Sequence, residues 1–243
     1  MKITFEALLI LGEQSQISFH TPIRYTSSNG VQVRIKDHED GPGKLIATYQ
    51  IDADSAETVR PLIDAELAHT TSFLSWKRNM PIMESRIIGY QSSEWYGKTN
   101  TVVLAATLHM TSSVNILVTL SKDGQKNMEQ ELSAILSSGA EEILSAWRDA
   151  VSKDTDFERY LFLYRLLESL GLPDGVDAWF KEADPSAPTA KDQSRDVSIY
   201  KFLRDHVHPK KGIFPAQEIQ DRLPRLQDLV RKAITEMYPE LDP

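Results

Sequence analysis

Short apolar and aromatic runs separated by turn residues fill the first part of the chain, at residues 2–11, 16–20, 23–27, 31–36 and 45–51, and predict strands. The clearest hairpin signal is Asn29-Gly30 between Ile23-Arg24-Tyr25-Thr26 and Val31-Gln32-Val33-Arg34-Ile35. Asn-Gly accepts the positive φ angles of a type I′ turn. After Asp54-Ser55-Ala56-Glu57 the period changes: Val59, Leu62, Ile63, Leu67, Thr70, Phe73 and Leu74 recur at helical spacing up to Asn79, with Pro61 tolerated in the first turns. Strands resume at 84–95, 99–110 and 114–120. Residues 1–120 therefore read as a β-rich α+β unit of about seven or eight strands, mostly antiparallel, with one helix packed on it.

Residues 121–243 read as all-helical. Residues 127–151 predict two helical pieces around Ser137-Ser138-Gly139. Thr155 as N-cap with Glu158 three residues on makes a capping box, and Gly171 followed by Pro173 stops that helix. Inside it, Phe157, Tyr160, Leu161, Tyr164, Leu167 and Leu170 form a stripe that Phe162, Leu163 and Leu166 widen nearly around the cylinder. Such a helix belongs in a bundle centre or against a second subunit. The polar, proline-bearing segment 182–192 predicts a mobile loop. In 216–238, Ile219, Leu223, Leu226, Val230, Ile234 and Met237 share a face, and Pro224 should kink the helix or start a new one. No internal repeat or low-complexity tract is visible.

Chemically capable residues converge in one stretch, 199–212. On a helix Arg204 and His208 are i and i+4 and share a face, and Pro209 should end the helix at His208. The negative end of the helix dipole favours a charged imidazole there, while Arg204 opposes it. His206 lies on the opposite face from Arg204 and is the alternative histidine. A structural reading stands beside the chemical one: Arg204 pairs with Asp205, Glu168 or another carboxylate in a buried network with Arg165 and Glu168, and His208 merely finishes a helix.

Leu203-Arg204-Asp205 with His208-Pro209, preceded by an earlier helix from Phe157 to Leu167 with acidic Glu168 near its end, resembles the HEPN superfamily of small helical domains. The resemblance covers roughly the C-terminal half. Only Asp205, His206 and Val207 separate the arginine from the histidine, a shorter spacing than the family usually shows. The resemblance implies metal-independent RNA cleavage by two copies facing each other across a homodimer, in systems of the bacterial defence or toxin type. Arg204 and His208 would be the catalytic pair, with Asp205 orienting one of them. Lys201, Lys210 and Lys211 would bind the RNA backbone.

Composition narrows the choice. The 243-residue chain is 41% hydrophobic and 26% charged, ordinary globular values. It has no cysteine, which excludes disulfides, thiolate zinc sites and cysteine nucleophiles. A net charge of -8 argues against a general nucleic-acid coat. The segment 195–232 nevertheless carries nine Lys and Arg against five Asp and Glu, a local +4 that fits a small phosphate-handling site and a solvated helix face about equally. Lys2 and Glu6 interrupt the apolar start, so no secretory leader is expected. No apolar run is long enough to cross a bilayer, and a cytoplasmic protein with no membrane partner is expected.

Other candidates are weak. Asp37-His38-Glu39-Asp40 has ligand atoms, but adjacent residues on an extended loop point apart and Gly41-Pro42-Gly43 marks a turn. His20, His69 and His109 read as structural, and Trp76, Trp95, Trp147 and Trp179 as packing residues. There is no Gly-rich phosphate loop, paired-histidine helix or serine elbow, so no cofactor and no metal is expected. The rival to the nuclease is a non-enzymatic helical interaction module carrying a β-rich adaptor that binds a protein or ligand.

Overall fold

The computed structural model describes residues 1–12, 15–19, 21–39, 41, 43–78, 81–92, 116–120, 122–134, 136–206 and 216–242. It is an α+β protein that divides into two compact units, Met1–Ser137 and Ser138–Pro243. The strand expected at 99–110 lies outside the described residues.

In the first unit the strands are β1 (Lys2–Leu11), β2 (Ser15–Phe19), β3 (Ile23–Thr26), β4 (Gln32–Asp37), β5 (Lys44–Asp52), β6 (Ile82–Ser92) and β7 (Ile116–Leu120). Five of them form one sheet in the order β3-β4-β5-β1-β6, every neighbouring pair antiparallel. Alternation puts Ile3, Phe5, Ala7, Leu9 and Leu11 of β1 in the core, because successive side chains of a strand face opposite ways. β2 and β7 pair in parallel instead, Ser15 opposite Ile116. Partners a hundred positions apart leave no local sign of their direction.

The β3–β4 hairpin corrects the expected turn. Ser27 N–H donates to Val31 O and Gly30 N–H to Ser27 O, both at 2.9 Å, and the positive φ falls on Gly30 alone, at +77°. Ser28-Asn29-Gly30 is thus a three-residue loop with a glycine bulge, not a two-residue type I′ turn. Asn29 is used through its side chain, whose Nδ2 donates to Glu66 Oε1 at 2.9 Å.

Helix α1 (Ala56–Arg78) runs through Pro61 and buries Ile63, Leu67, Phe73, Leu74 and Trp76. Its inner face also carries buried Thr70, Thr71, Ser72 and Ser75. Thr70 and Thr71 return their hydroxyls to Glu66 O and Leu67 O, the local bond that keeps such residues satisfied inside a helix. Helix α2 (Lys122–Leu132) completes this unit: Gln125 Nε2 donates to Thr21 O at 3.0 Å and Glu129 Oε1 accepts Arg24 N–H at 2.7 Å.

The second unit holds α3 (Ser138–Val151), α4 (Asp156–Ser169), α5 (Gly175–Ala183), the hairpin β8 (Thr189–Asp192) with β9 (Arg195–Ser198), α6 (Ile199–His206) and α7 (Ala216–Met237). Helix α4 is the centre, packed by α3, α5, α6 and α7. That placement accounts for its wide apolar face: Tyr160, Leu163, Tyr164, Leu166 and Leu167 are buried in the one chain. Phe162 is half-buried, its ring covered by Lys153 Nζ at 4.1 Å and Arg165 at 5.6 Å. Pro224 does not divide α7, which is one helix across it. The lost backbone bond is offset by buried Leu223, Leu226 and Val230 on either side.

The capping box is present. Glu158 N–H donates to Thr155 Oγ1 at 3.2 Å and Thr155 N–H to Glu158 Oε2 at 3.4 Å. Thr155→Ala should therefore lower stability by about 1 kcal/mol, read as a reduced urea midpoint; an unchanged midpoint would show that the cap contributes nothing.

The segment 182–192 is not a loose loop. Helix α5 reaches Ala183, β8 begins at Thr189, and Asp184 between them is buried. Its carboxylate accepts Tyr200 OH at 2.7 Å, Ser186 Oγ at 3.0 Å and the Arg225 fork at 3.2 and 3.3 Å. Among the described residues, no helix is long and apolar enough to cross a membrane.

Candidate functional site

Helix α6 carries the candidate residues, and its start is fixed by neighbours. Ser198 N–H donates to Asp177 Oδ1 at 2.7 Å and Lys201 N–H to Ser198 Oγ at 3.2 Å. Ile199 N–H reaches Pro188 O at 3.0 Å, and Tyr160 OH reaches Tyr200 O at 2.9 Å. Tyr200 and Leu203 are buried, so positions 201, 204 and 205 turn outward on the remaining face.

There the side chains form a charge cluster. Arg204 donates through Nη1 to Asp205 Oδ1 at 2.7 Å and through Nη2 to Glu168 Oε1 at 2.9 Å. Lys201 Nζ donates to Asp205 Oδ2 at 2.8 Å. The guanidinium also stands over the Tyr164 ring, 5.4 Å from its centroid. Two cations and two anions leave the cluster neutral. The Asp205 bond and the Glu168 charge raise the Arg204 pKa. Burial alone would raise the Asp205 carboxyl, but the Lys201 and Arg204 bonds outweigh it and hold the carboxyl below its usual range. Burial first, then Glu168, pushes the Tyr164 hydroxyl well above its ordinary value, so it stays a neutral phenol.

The expected buried network is corrected by exposure. The Arg204 and Glu168 side chains are 38% and 40% exposed, because Glu168 lies past the buried turn of α4, and Arg165 is on the surface too. An ion pair this open contributes about 0–1 kcal/mol. The pair arranges a guanidinium at the surface more than it stabilises the fold.

His206 Nδ1 lies 2.8 Å from Phe202 O, and its ring stacks on Phe202 with centroids 3.9 Å apart. A carbonyl only accepts, so Nδ1 carries the hydrogen and Nε2 faces away from that bond. His208, Lys210 and Lys211 lie outside the described residues, as do Pro209, His20, His109, Trp95 and Asp40.

Elsewhere, Asp37 Oδ2 accepts Phe19 N–H at 3.3 Å, tying β2 to the end of β4. His69 stacks on Phe73, and Trp76 and Trp147 are buried. No group of three His, Asp or Glu able to hold a metal occurs among the described residues. Tyr164 was legible only as a core position of α4, since nothing local marks it as the surface beneath an arginine. Compared with family models, curated proteins and solved structures, the chain matches none of them.

Proposed function

We propose that the helical unit is a HEPN-like module that engages RNA phosphate through Arg204, with His208 moving protons in a metal-independent cleavage. The observation that carries this reading is the meeting of Glu168, at the end of α4, with Arg204 and Asp205 of α6. These are the polar residues that the resemblance marks on two separate helices. The guanidinium is partly exposed, permanently charged and held in place by two carboxylates, so a donor at the surface is set for a charge-assisted bond to a phosphate. Pairing of two copies belongs to the same proposal, with half-buried Leu161 and Phe162 of α4, the latter already covered in part by Lys153 and Arg165, at its surface.

One observation favours the rival reading of a non-enzymatic interaction module: both terminal nitrogens of Arg204 already have carboxylate partners. The two readings separate on a fluorescent single-stranded RNA followed by anisotropy. If Arg204 grips phosphate, Arg204→Ala should weaken binding about tenfold or more, as loss of a charge-assisted bond. Its melting temperature should stay nearly unchanged, since the ion pairs are at the surface. Equal RNA behaviour of both proteins, or no binding by either, would leave the interaction module standing.

A further inference from the structure

The ion pair between α4 and α6 has an asymmetry that bears on how a phosphate would reach Arg204. Asp205 is the arginine's neighbour in sequence, is only 20% exposed and is also held by Lys201. It moves with Arg204 and stays with it. Glu168 comes from another helix, is 40% exposed and meets Arg204 through Nη2 at 2.9 Å. We infer that Glu168 is a carboxylate latch on Arg204, which an incoming RNA phosphate displaces from Nη2 while Asp205 keeps Nη1.

This inference rests on the RNA reading above and adds the regulation of that site. A phosphate oxygen arriving at Nη2 meets the same planar donor that the carboxylate oxygen leaves. No bond other than hydrogen bonds is made or broken. The exchange swaps one anionic oxygen for another on the same donor, but it leaves Glu168 exposed beside the RNA, where its negative charge repels the next phosphate. The latch therefore sets a threshold: a lone weak anion does not open it, and a polyanion with several backbone contacts does. Tyr164 beneath the guanidinium keeps the fork in place during the exchange, since the neutral phenol adds no competing charge.

Removing the latch charge should strengthen binding, and only through Arg204. Glu168→Gln is expected to raise affinity for a single-stranded RNA oligonucleotide about two- to fivefold, equivalent to about 0.4–1 kcal/mol. Circular dichroism and the melting temperature should match the unsubstituted protein. The second arm is the double variant with Arg204→Ala, because a coupling term isolates the pair. The gain from Glu168→Gln should vanish in that background. A gain of equal size without Arg204 is a general charge effect and overturns the latch. So does unchanged affinity in Glu168→Gln when Arg204→Ala alone abolishes binding, an outcome that leaves the RNA reading intact. No binding by the unsubstituted protein and by Glu168→Gln alike overturns both.

Discussion

If the helical unit cleaves RNA as proposed, replacing His208 by Ala is expected to slow that cleavage by ~10²- to 10⁴-fold, the loss of general acid or base assistance, while RNA binding through Arg204 persists. Cleavage without a metal takes the 2′-hydroxyl proton, forms the new bond from that oxygen to phosphorus and expels the 5′ oxygen, which gains a proton. The products are a 2′,3′-cyclic phosphate and a free 5′ hydroxyl. An imidazole titrating near neutrality can serve either transfer, and Arg204 meets the charge that grows on the non-bridging oxygens. Arg204→Lys should also be impaired, because an ammonium cannot reproduce the planar fork that Asp205 and Glu168 now hold. His206→Ala should matter far less to the rate, since that ring is engaged with Phe202. Chelator should leave the rate unchanged. The measurement is single-turnover cleavage of a mixed-sequence RNA with the product ends identified. Full activity in the double variant Arg204→Ala/His208→Ala would place the cleavage elsewhere.

A large effect on stability is expected at the buried carboxylate of Asp184. Asp184→Ala removes the shared acceptor of Tyr200, Ser186 and Arg225. Arg225 is half exposed and recovers water, but the Tyr200 hydroxyl is buried. Leaving it without an acceptor should cost about 2–3 kcal/mol. Asp184→Asn retains an amide oxygen for Tyr200 and should cost about half of that. The effect also has a sign with pH. The Arg225 fork, then the Tyr200 and Ser186 bonds, hold the Asp184 carboxyl below its ordinary range against the opposing effect of burial. A depressed carboxylate stabilises fully above its unfolded value, near pH 4, and loses that contribution as pH falls through the folded one. The difference between wild type and Asp184→Asn in urea unfolding should thus be constant from pH 5 to 7 and shrink below about pH 4. A constant difference down to pH 3 would mean the carboxylate charge is not what Arg225 and Tyr200 recognise.

Asp184 also shows where reading the sequence stopped. Its surroundings, Glu182-Ala183-Asp184-Pro185-Ser186, are polar and broken by proline, and locally they describe a loose loop. The partner that anchors it is Arg225, 41 positions away, and no periodicity links them. The Thr155 cap, by contrast, is written within four residues, and it was legible. The alternating core of β1 and the central face of α4 were legible for the same reason, since both repeat within one element. The width of the α4 stripe was read correctly as burial on several sides, yet its cause was open until α3, α5, α6 and α7 were seen around it. At the site, the spacing of Arg204 and Asp205 was visible, and Glu168 was among the carboxylates weighed. That the cluster is neutral and at the surface depends on where α4 ends against α6, which residue order does not encode.

The way α6 begins has a mechanical consequence. An eight-residue helix is about 12 Å long and too short to hold its shape or direction unaided. Its bearing is Ser198, gripped by Asp177 of α5, with Pro188 holding the next amide. Buried Tyr200 and Leu203 seat the helix on its neighbours, and a tilt of about 10° at the bearing would move Arg204, about 9 Å along, by about 1.5 Å. That travel would part Arg204 from Glu168 without disturbing Asp205, which rides on the same helix. The placement of Arg204 therefore depends on α5, through Asp177, and on Pro188 just before the β8–β9 hairpin.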